Sequence, residues 1–383
     1  MRDDGTTIDA AGGSGYSTAA MIQQLPLNDH HRASGASLKF WHERIVPERF
    51  TATKDEHQAV RERAGLIDWS TTGILRVTGA DRAAFLHNLL TNDIKSLAPG
   101  AGCHAALLNA SGKLLADLLV LAGAEEHWLL VDNLYAAGAL DALQRYRITE
   151  AVMLANDSAR FAILAVQGPD SIRILRQVLD LPLAVLQPLD HHQAMVGAAP
   201  VRFVAHRITN YPGMLMIVPV ADAAALWDAI VQRGQPKGLR PVGWDAFNML
   251  RLEAGLPWYG IDIDDSNLLP ETGLEETAVS GTKGCYVGQE IVARMATYGS
   301  ASRKLMGLTL AGTKIPDAKS VIVRGAEEVG SVTSACWSPV LQKAIALASL
   351  KRPFYEIGLD VEIAHRDGRI PATVVKWPFV TVR

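Results

Sequence analysis

The run His104-Ala-Ala-Leu-Leu-Asn-Ala-Ser-Gly-Lys-Leu-Leu-Ala-Asp-Leu-Leu-Val-Leu121 carries most of the structural information in this chain. Asn109-Ala-Ser-Gly112 has turn chemistry, because an Asn side chain can bond nearby backbone and Gly tolerates positive φ. The apolar stretches on either side, His104–Leu108 and Leu114–Leu121, have strand length. Together they read as an antiparallel hairpin. Asp117 interrupts the second strand on the same alternating face as Leu115 and Leu119. If that face turns inward, the carboxylate is desolvated and needs a partner or a proton. The plain alternative is a face toward solvent or a loop, or an acid that accepts backbone hydrogen bonds.

Helix and strand signals mix on both sides of the hairpin. Gly73–Thr78, Trp128–Val131, Phe161–Val166, Val201–Ile208 and Met214–Val218 read as strands. Asp81 is placed to cap a helix with Phe85, Leu86, Leu89 and Leu90 on one side. Ala136–Tyr146, the segment after Gly168-Pro169-Asp170, Ala223–Val231 and Trp244–Ala254 read as further helices. After Arg303 the texture changes to short strands at near-regular spacing, with Arg366-Asp367-Gly368 as a hairpin turn. This predicts a small β-barrel or sandwich. The expected organisation is a mobile tail over 1–36, an α+β region of two interleaved domains over 37–300, and a β-barrel over 301–383.

Length and composition agree. The chain has 383 residues, enough for two or three domains. With 49% apolar and 20% charged residues it has ample material for several cores. The net charge of −3 gives no strongly basic surface, which disfavours stable nucleic-acid binding. No run reaches the roughly 18 apolar residues of a spanning helix, and the acidic start has no apolar region of a secretory signal. Cys103, Cys285 and Cys336 are sparse and odd in number. That fits a reducing cytoplasm rather than a disulfide framework, and offers no spacing for a metal or cluster site.

Lys283-Gly284-Cys285-Tyr286-Val287-Gly288-Gln289-Glu290 has the most unusual composition. In an extended segment Lys283 would share a side with Cys285 and could favour its thiolate. The plain alternative is a buried, inert cysteine in a turn. Arg251 and Glu253 are too close in sequence to face one another and read as two separate salt bridges. Asp262, Asp264 and Asp265 read as a solvated acidic turn, and the pairs His30-His31 and His191-His192 as surface. Gly13-x-Gly15 opens no helix and is no dinucleotide loop.

Taken in order, several short stretches resemble the folate-binding family that includes the T-protein of glycine cleavage (aminomethyltransferase), and within it the YgfZ branch. They include Glu56–Arg61, Val77-Thr78-Gly79, Leu90-Thr91-Asn92-Asp93, Val166-Gln167-Gly168-Pro169, Arg251–Gly255, Tyr259-Gly260 and Ser338-Pro339. The octet Lys283–Glu290 is the mark of the YgfZ branch. The resemblance implies three domains in a clover leaf around a central channel for tetrahydrofolate, closed by a C-terminal β-barrel. It implies that Asp117 works beside the folate nitrogens and that His104, Leu130 and Asp132 line the channel. Two polar groups of the T-protein fall here at Leu215 and Phe247. The leading expectation is a tetrahydrofolate-binding accessory protein that supports iron–sulfur cluster assembly or repair. Cys285 would be its reactive group, with Lys283 tuning the thiol and Gln289 and Glu290 shaping the site; the partners would be iron–sulfur client or assembly proteins. The alternatives are a folate-dependent aminomethyltransferase or demethylase acting on a small amine or methyl donor through Asp117, and a non-catalytic protein-binding scaffold.

Overall fold

The structure, a computed structural model, describes residues 22–183, 186–299 and 301–382, with the side chains of 296–298 excepted. The hairpin forms as expected. Strand Gly102–Leu108 pairs with Leu114–Ala122, turning at Asn109–Gly112, where Gly112 has φ +76°. The Asn109 Oδ1 accepts from the backbone N–H of Ser111 and Lys113, which fixes the turn. This pair is one edge of a five-stranded antiparallel sheet completed by Glu126–Asp132, Thr72–Thr78 and Met153–Asn156, in that order.

Period-two alternation decides what each face covers. Ala116, Leu118 and Val120 pack with Leu75, Val77, Leu129 and Val131 under the helices Arg82–Leu89 and Ala136–Arg145. Leu119 and Leu121 point the other way, into a cluster with Ile74, Trp128 and Leu130. There they meet Ile67, Ile163, Ala165, Val204, Leu215 and Ile217 of a second sheet. That sheet has six strands in the order His191–Val196, Ala199–Ala205, Gly213–Pro219, Phe161–Gln167, Ala64–Asp68 and Leu239–Val242. Its far face is covered by the helices Ser171–Leu179 and Val220–Gly234 through Ile174, Leu175, Leu226, Trp227 and Ile230. The result is a helix–sheet–sheet–helix stack. Strands buried on both faces explain why Met214–Val218 reads as an unbroken apolar run. The chain leaves the six-stranded sheet after Asp68, builds the five-stranded sheet, and returns at Phe161.

The third unit is a closed barrel of six strands, Arg303–Leu310, Lys343–Lys351, Glu327–Ser338, Val321–Arg324, Asp360–His365 and Gly368–Val375. Leu308, Ile322, Ala346, Leu350, Ile363 and Val374 fill it. The helix Trp244–Glu253 fastens this barrel to the rest. Arg251 is buried: Nη1 donates to Asp262 Oδ2 at 2.7 Å and Nη2 to Ser334 Oγ of the barrel at 2.9 Å. Two residues on, the buried Glu253 carboxylate bonds His57 at 2.9 Å and accepts from Ser338 Oγ at 2.5 Å. Arg251 and Glu253 thus serve two separate bridges, both inside the molecule where the helix meets the barrel. A charge held there needs the full partner set, and breaking such a pair costs about 3–5 kcal/mol.

Other expectations are corrected. Residues 1–21 of the expected tail lie outside the described residues, but 22–36 are folded. Gln23–Gln24 pairs with Arg44–Ile45, and the helix Asn28–Ala33 buries His31 with Nε2 2.9 Å from Asp68. A fully buried partner 37 residues away, with Phe50 and Trp227 in edge contact with the ring, overrides the polar look of His30-His31. His191 begins a strand and is buried. Asp262 is the buried partner of Arg251, not part of a solvated turn. Asp81 precedes its helix, yet its carboxylate accepts from Ala151 N–H across the sheet edge rather than capping. Among the described residues no helix is long and apolar enough to cross a membrane.

Candidate active site in the cavity between the sheets and the barrel

A cavity of about 660 Å³ opens where the three units meet, within the range of small-molecule sites. Leu119 and Leu130 come from the five-stranded sheet, Trp69 follows Ala64–Asp68, and His206, Arg207 and Ile208 come from the loop after Ala199–Ala205. Phe247 and Trp258 form another wall, and Trp377 reaches in from beyond the last barrel strand. The ring of Trp258 stands 5.9 Å from Phe247 and 5.1 Å from Trp244, so this wall is a packed aromatic cluster.

Asp117 and His104 both line the cavity. The hairpin register puts His104 opposite Leu119 and Asp117 opposite Ala106, so the two are diagonal neighbours on the inward face. His104 Nε2 lies 2.5 Å from Asp117 Oδ1, and His104 Nδ1 lies 2.8 Å from Thr277 Oγ1. Thr277 Oγ1 donates its own proton to the Leu274 carbonyl, which leaves its lone pairs for an N–H from the ring. Burial alone would depress His104, but the Asp117 charge and hydrogen bond outweigh it and hold the imidazole above its ordinary value. Both ring nitrogens therefore have acceptors, the arrangement of an imidazolium.

Two short stretches hold this pair. Thr91 Oγ1 donates to Ala278 O and accepts from Ala106 N–H, clamping the 277–278 segment to the strand. Asn92 Nδ2 donates to His104 O at 2.8 Å and reaches Thr277 O at 3.4 Å. On the opposite wall, Gln167 donates to His206 O and accepts from Ile208 N–H, so it shapes the cavity loop. Burial, with the His104 charge adding, pulls His206 down to about 4, which keeps it neutral near pH 7. Trp69 Nε1 is buried without a partner, beside the cavity.

Leu130 and Asp132 line the cavity, but Asp132 is fully engaged. It receives the buried Arg44 through both oxygens at 2.5 and 3.1 Å and the Trp258 indole N–H at 2.8 Å. Its carboxylate orients the aromatic wall.

The octet lies elsewhere. Cys285 is exposed and does not line the cavity. Burial pushes Cys103 and Cys336 up to about 12. Lys283 Nζ does not turn to Cys285. It donates to the carbonyls of His87, Leu90 and Asn92, at the end of the helix Arg82–Leu89 and just beyond. Gln289 Oε1 accepts from Tyr286 N–H at the start of the helix Gln289–Tyr298, and Glu290 is exposed. Tyr286 and Val287 pack into the cores, and Gly288 sits at φ +81° against the hairpin turn. Lys283, Cys285, Gln289 and Glu290 thus lie outside the cavity lining, on a segment that docks through Tyr286 and Val287.

Two family models cover nearly all of the described chain. The GCVT N-terminal domain matches residues 27–282 and the glycine cleavage T-protein C-terminal barrel domain matches 303–381. The chain belongs to the glycine-cleavage T-protein family. Curated relatives of this family include aminomethyltransferases of Bacillus licheniformis and Geobacillus kaustophilus. They are 33% and 34% identical to this chain, over 94% of it and 99% of each relative. The glycine cleavage system aminomethyltransferase T of Bartonella henselae superposes with a TM-score of 0.86 over 94% of this chain and 98% of that one, at 24% identity, which bears on the fold. The three-part α+β fold with a terminal barrel is that of the T-protein family. The family matches do not single out the YgfZ branch.

Tetrahydrofolate is the cofactor of T-protein family aminomethyltransferases, and the residues present fit it. An apolar and aromatic slot suits a flat ring, and the unpartnered Trp69 indole N–H and the Asp117 carboxylate offer it polar contacts. Phe247 lines the slot, whereas Leu215 lies in the core between the sheets. The sequence had not pointed to Trp69, His206, Trp258 or Thr277. Asn92 and Gln167 fell within stretches noted only as family likeness.

Proposed function

We propose that this chain is a tetrahydrofolate-dependent aminomethyltransferase or demethylase that takes a one-carbon unit from a small amine or methyl donor. The observation that carries this reading is the Asp117–His104 pair on the wall of the 660 Å³ cavity. The names of the curated relatives support the same chemistry. When bound, tetrahydrofolate supplies the nitrogens that accept the one-carbon unit. Asp117 places negative charge where a cationic amine centre or a moving proton is held. His104 orients that carboxylate and balances its charge, so it survives beside an apolar wall. Neutral His206 adds no competing cation, and the aromatic walls exclude water.

The test is turnover of sarcosine, dimethylglycine and aminomethyl donors with reduced folate, wild type against Asp117→Asn. The substitution keeps shape and removes charge. Turnover is expected to fall by about 10²–10⁴-fold, while calorimetry still detects folate binding. Full turnover in Asp117→Asn overturns the reading.

The exposed Cys285 thiol supports a second reading, the accessory role in iron–sulfur cluster assembly expected from the octet. The relatives' names favour transfer over it. A deletion strain whose iron–sulfur enzymes recover fully with a Cys285→Ala copy rejects that second role for the thiol.

A further inference from the structure

The octet and the cavity are joined by one chain of hydrogen bonds. Lys283 Nζ donates to Asn92 O at 3.2 Å and to Leu90 O at 2.5 Å. The side chain of the same Asn92 donates to His104 O and reaches Thr277 O. Thr277 Oγ1 meets His104 Nδ1, and His104 Nε2 meets Asp117. A lysine is suited to this place, because an ammonium has three donors and the segment presents three carbonyls. The Tyr286 ring, 5.0 Å from Nζ, and the half-buried Val287 anchor the segment that delivers it.

We infer that Lys283 is a positioning residue: it pins the 87–92 segment so that Asn92 and Thr277 hold His104 against Asp117 in the cavity. The inference deepens the transfer reading by adding a residue that orders its reacting pair, and it rests on that reading for the pair's purpose. The contacts themselves do not depend on it. The octet's influence on the cavity thus runs through its lysine, behind the wall, and bypasses the exposed Cys285.

The charged and titratable groups around the two ends are known. Asp117 acts on His104, whose charge in turn lowers His206, and Arg207 and Glu276 share the cavity lining with them; His87, Asp93, Lys95 and Cys103 surround Lys283. Removing a positive charge from this neighbourhood can by itself only raise the His104 titration midpoint. Loosening the His104–Asp117 contact lowers it, because the carboxylate is what raises it against burial. The sign of the shift therefore separates positioning from bare electrostatics.

The experiment is a pH titration of the His104 ring nitrogens by NMR on the full chain, for wild type, Lys283→Met, Lys283→Gln and Lys283→Arg. The expected result is a midpoint that drops in the Met variant toward or below about 6.5, drops less in Gln, and is restored by Arg. If Lys283→Met does not fold, the Gln variant decides in the same way. A midpoint that stays or rises in the folded neutral variant overturns the inference. The readout needs no turnover, so a failure of the transfer reading, seen as full activity of Asp117→Asn, is recorded separately. In the transferase assay, Lys283→Met should lower kcat and leave the KM for folate unchanged.

Discussion

The strand around Asp117 and the octet around Cys285 both break the patterns of their surroundings, and they end in opposite places. Asp117 interrupts a period-two alternation, so its direction is set by its neighbours: Leu119 and Leu121 face the space between the sheets, and Asp117 must follow. The octet breaks a rule of composition, and composition carries no direction. Its aromatic and aliphatic members seek the core, Tyr286 and Val287 turn in, and Cys285 is left outside. A polar residue inside a regular element therefore has its direction set by that element, whereas a cluster of uncommon residues in a loop does not.

The contrast breaks most visibly at Gly288. Its φ is +81°, and an added Cβ would stand 2.6 Å from the Asn109 carbonyl oxygen. Gly288→Val should cost about 1–3 kcal/mol for the backbone conformation, with the clash against the hairpin added. Urea unfolding measures the loss. Unchanged stability would mean that the octet does not dock on the hairpin at all.

Next in size is the opposite pH response of the two cavity histidines. The folded value of His206, about 4, lies below its unfolded value near 6.5. It contributes nothing above pH 6.5, and its cost grows as pH falls from 6.5 toward 4. At pH 5 that cost is at most about 2 kcal/mol, reduced because the ring borders the cavity. His206→Phe should remove this acid-side loss, read as thermal stability at pH 5 against pH 7. His104 has the other sign. Its raised folded value gives stability that is full below pH 6.5 and lost as pH rises through that value. His104→Gln should flatten the alkaline-side loss and cost about 1.5 kcal/mol near neutrality, the low end for a charged hydrogen bond because both side chains are partly exposed. An unchanged alkaline limb would show that the pair is not ionic.

These outcomes bear on what was readable beforehand. The six short strands of the last unit were legible because they repeat at near-even spacing with a turn at Arg366–Gly368, which suits a barrel or a sandwich; closure into a barrel was what the family resemblance implied. The hairpin was legible because its turn chemistry is local, and alternation gave the face that Asp117 shares with Leu115 and Leu119; that this face turns inward, and the place of His104, came from the family resemblance. The N-terminal helix was not, since nothing within Asn28–Ala33 announces that Asp68 will bury His31. Thr277 was invisible for the same reason: its contact with His104 spans 173 residues and exists only once Thr91 and Asn92 have clamped it. Likewise, the direction of Lys283 follows from carbonyls about 190 residues earlier, not from its neighbour two places on.

The smallest effect is the sharpest comparison. Cys285 is exposed, its neighbour Gly284 has no atom within 4 Å of an added Cβ, and no core depends on the thiol. Cys285→Ser should change stability by less than about 0.5 kcal/mol, leave the His104 titration unmoved and leave folate-dependent turnover at the wild-type level. A large loss of turnover with unchanged stability would place the thiol in the transfer chemistry, against the exposure seen here. A loss confined to iron–sulfur enzymes in the cell would instead assign it a separate surface role, with Lys283 and Cys285 then serving two functions from one octet.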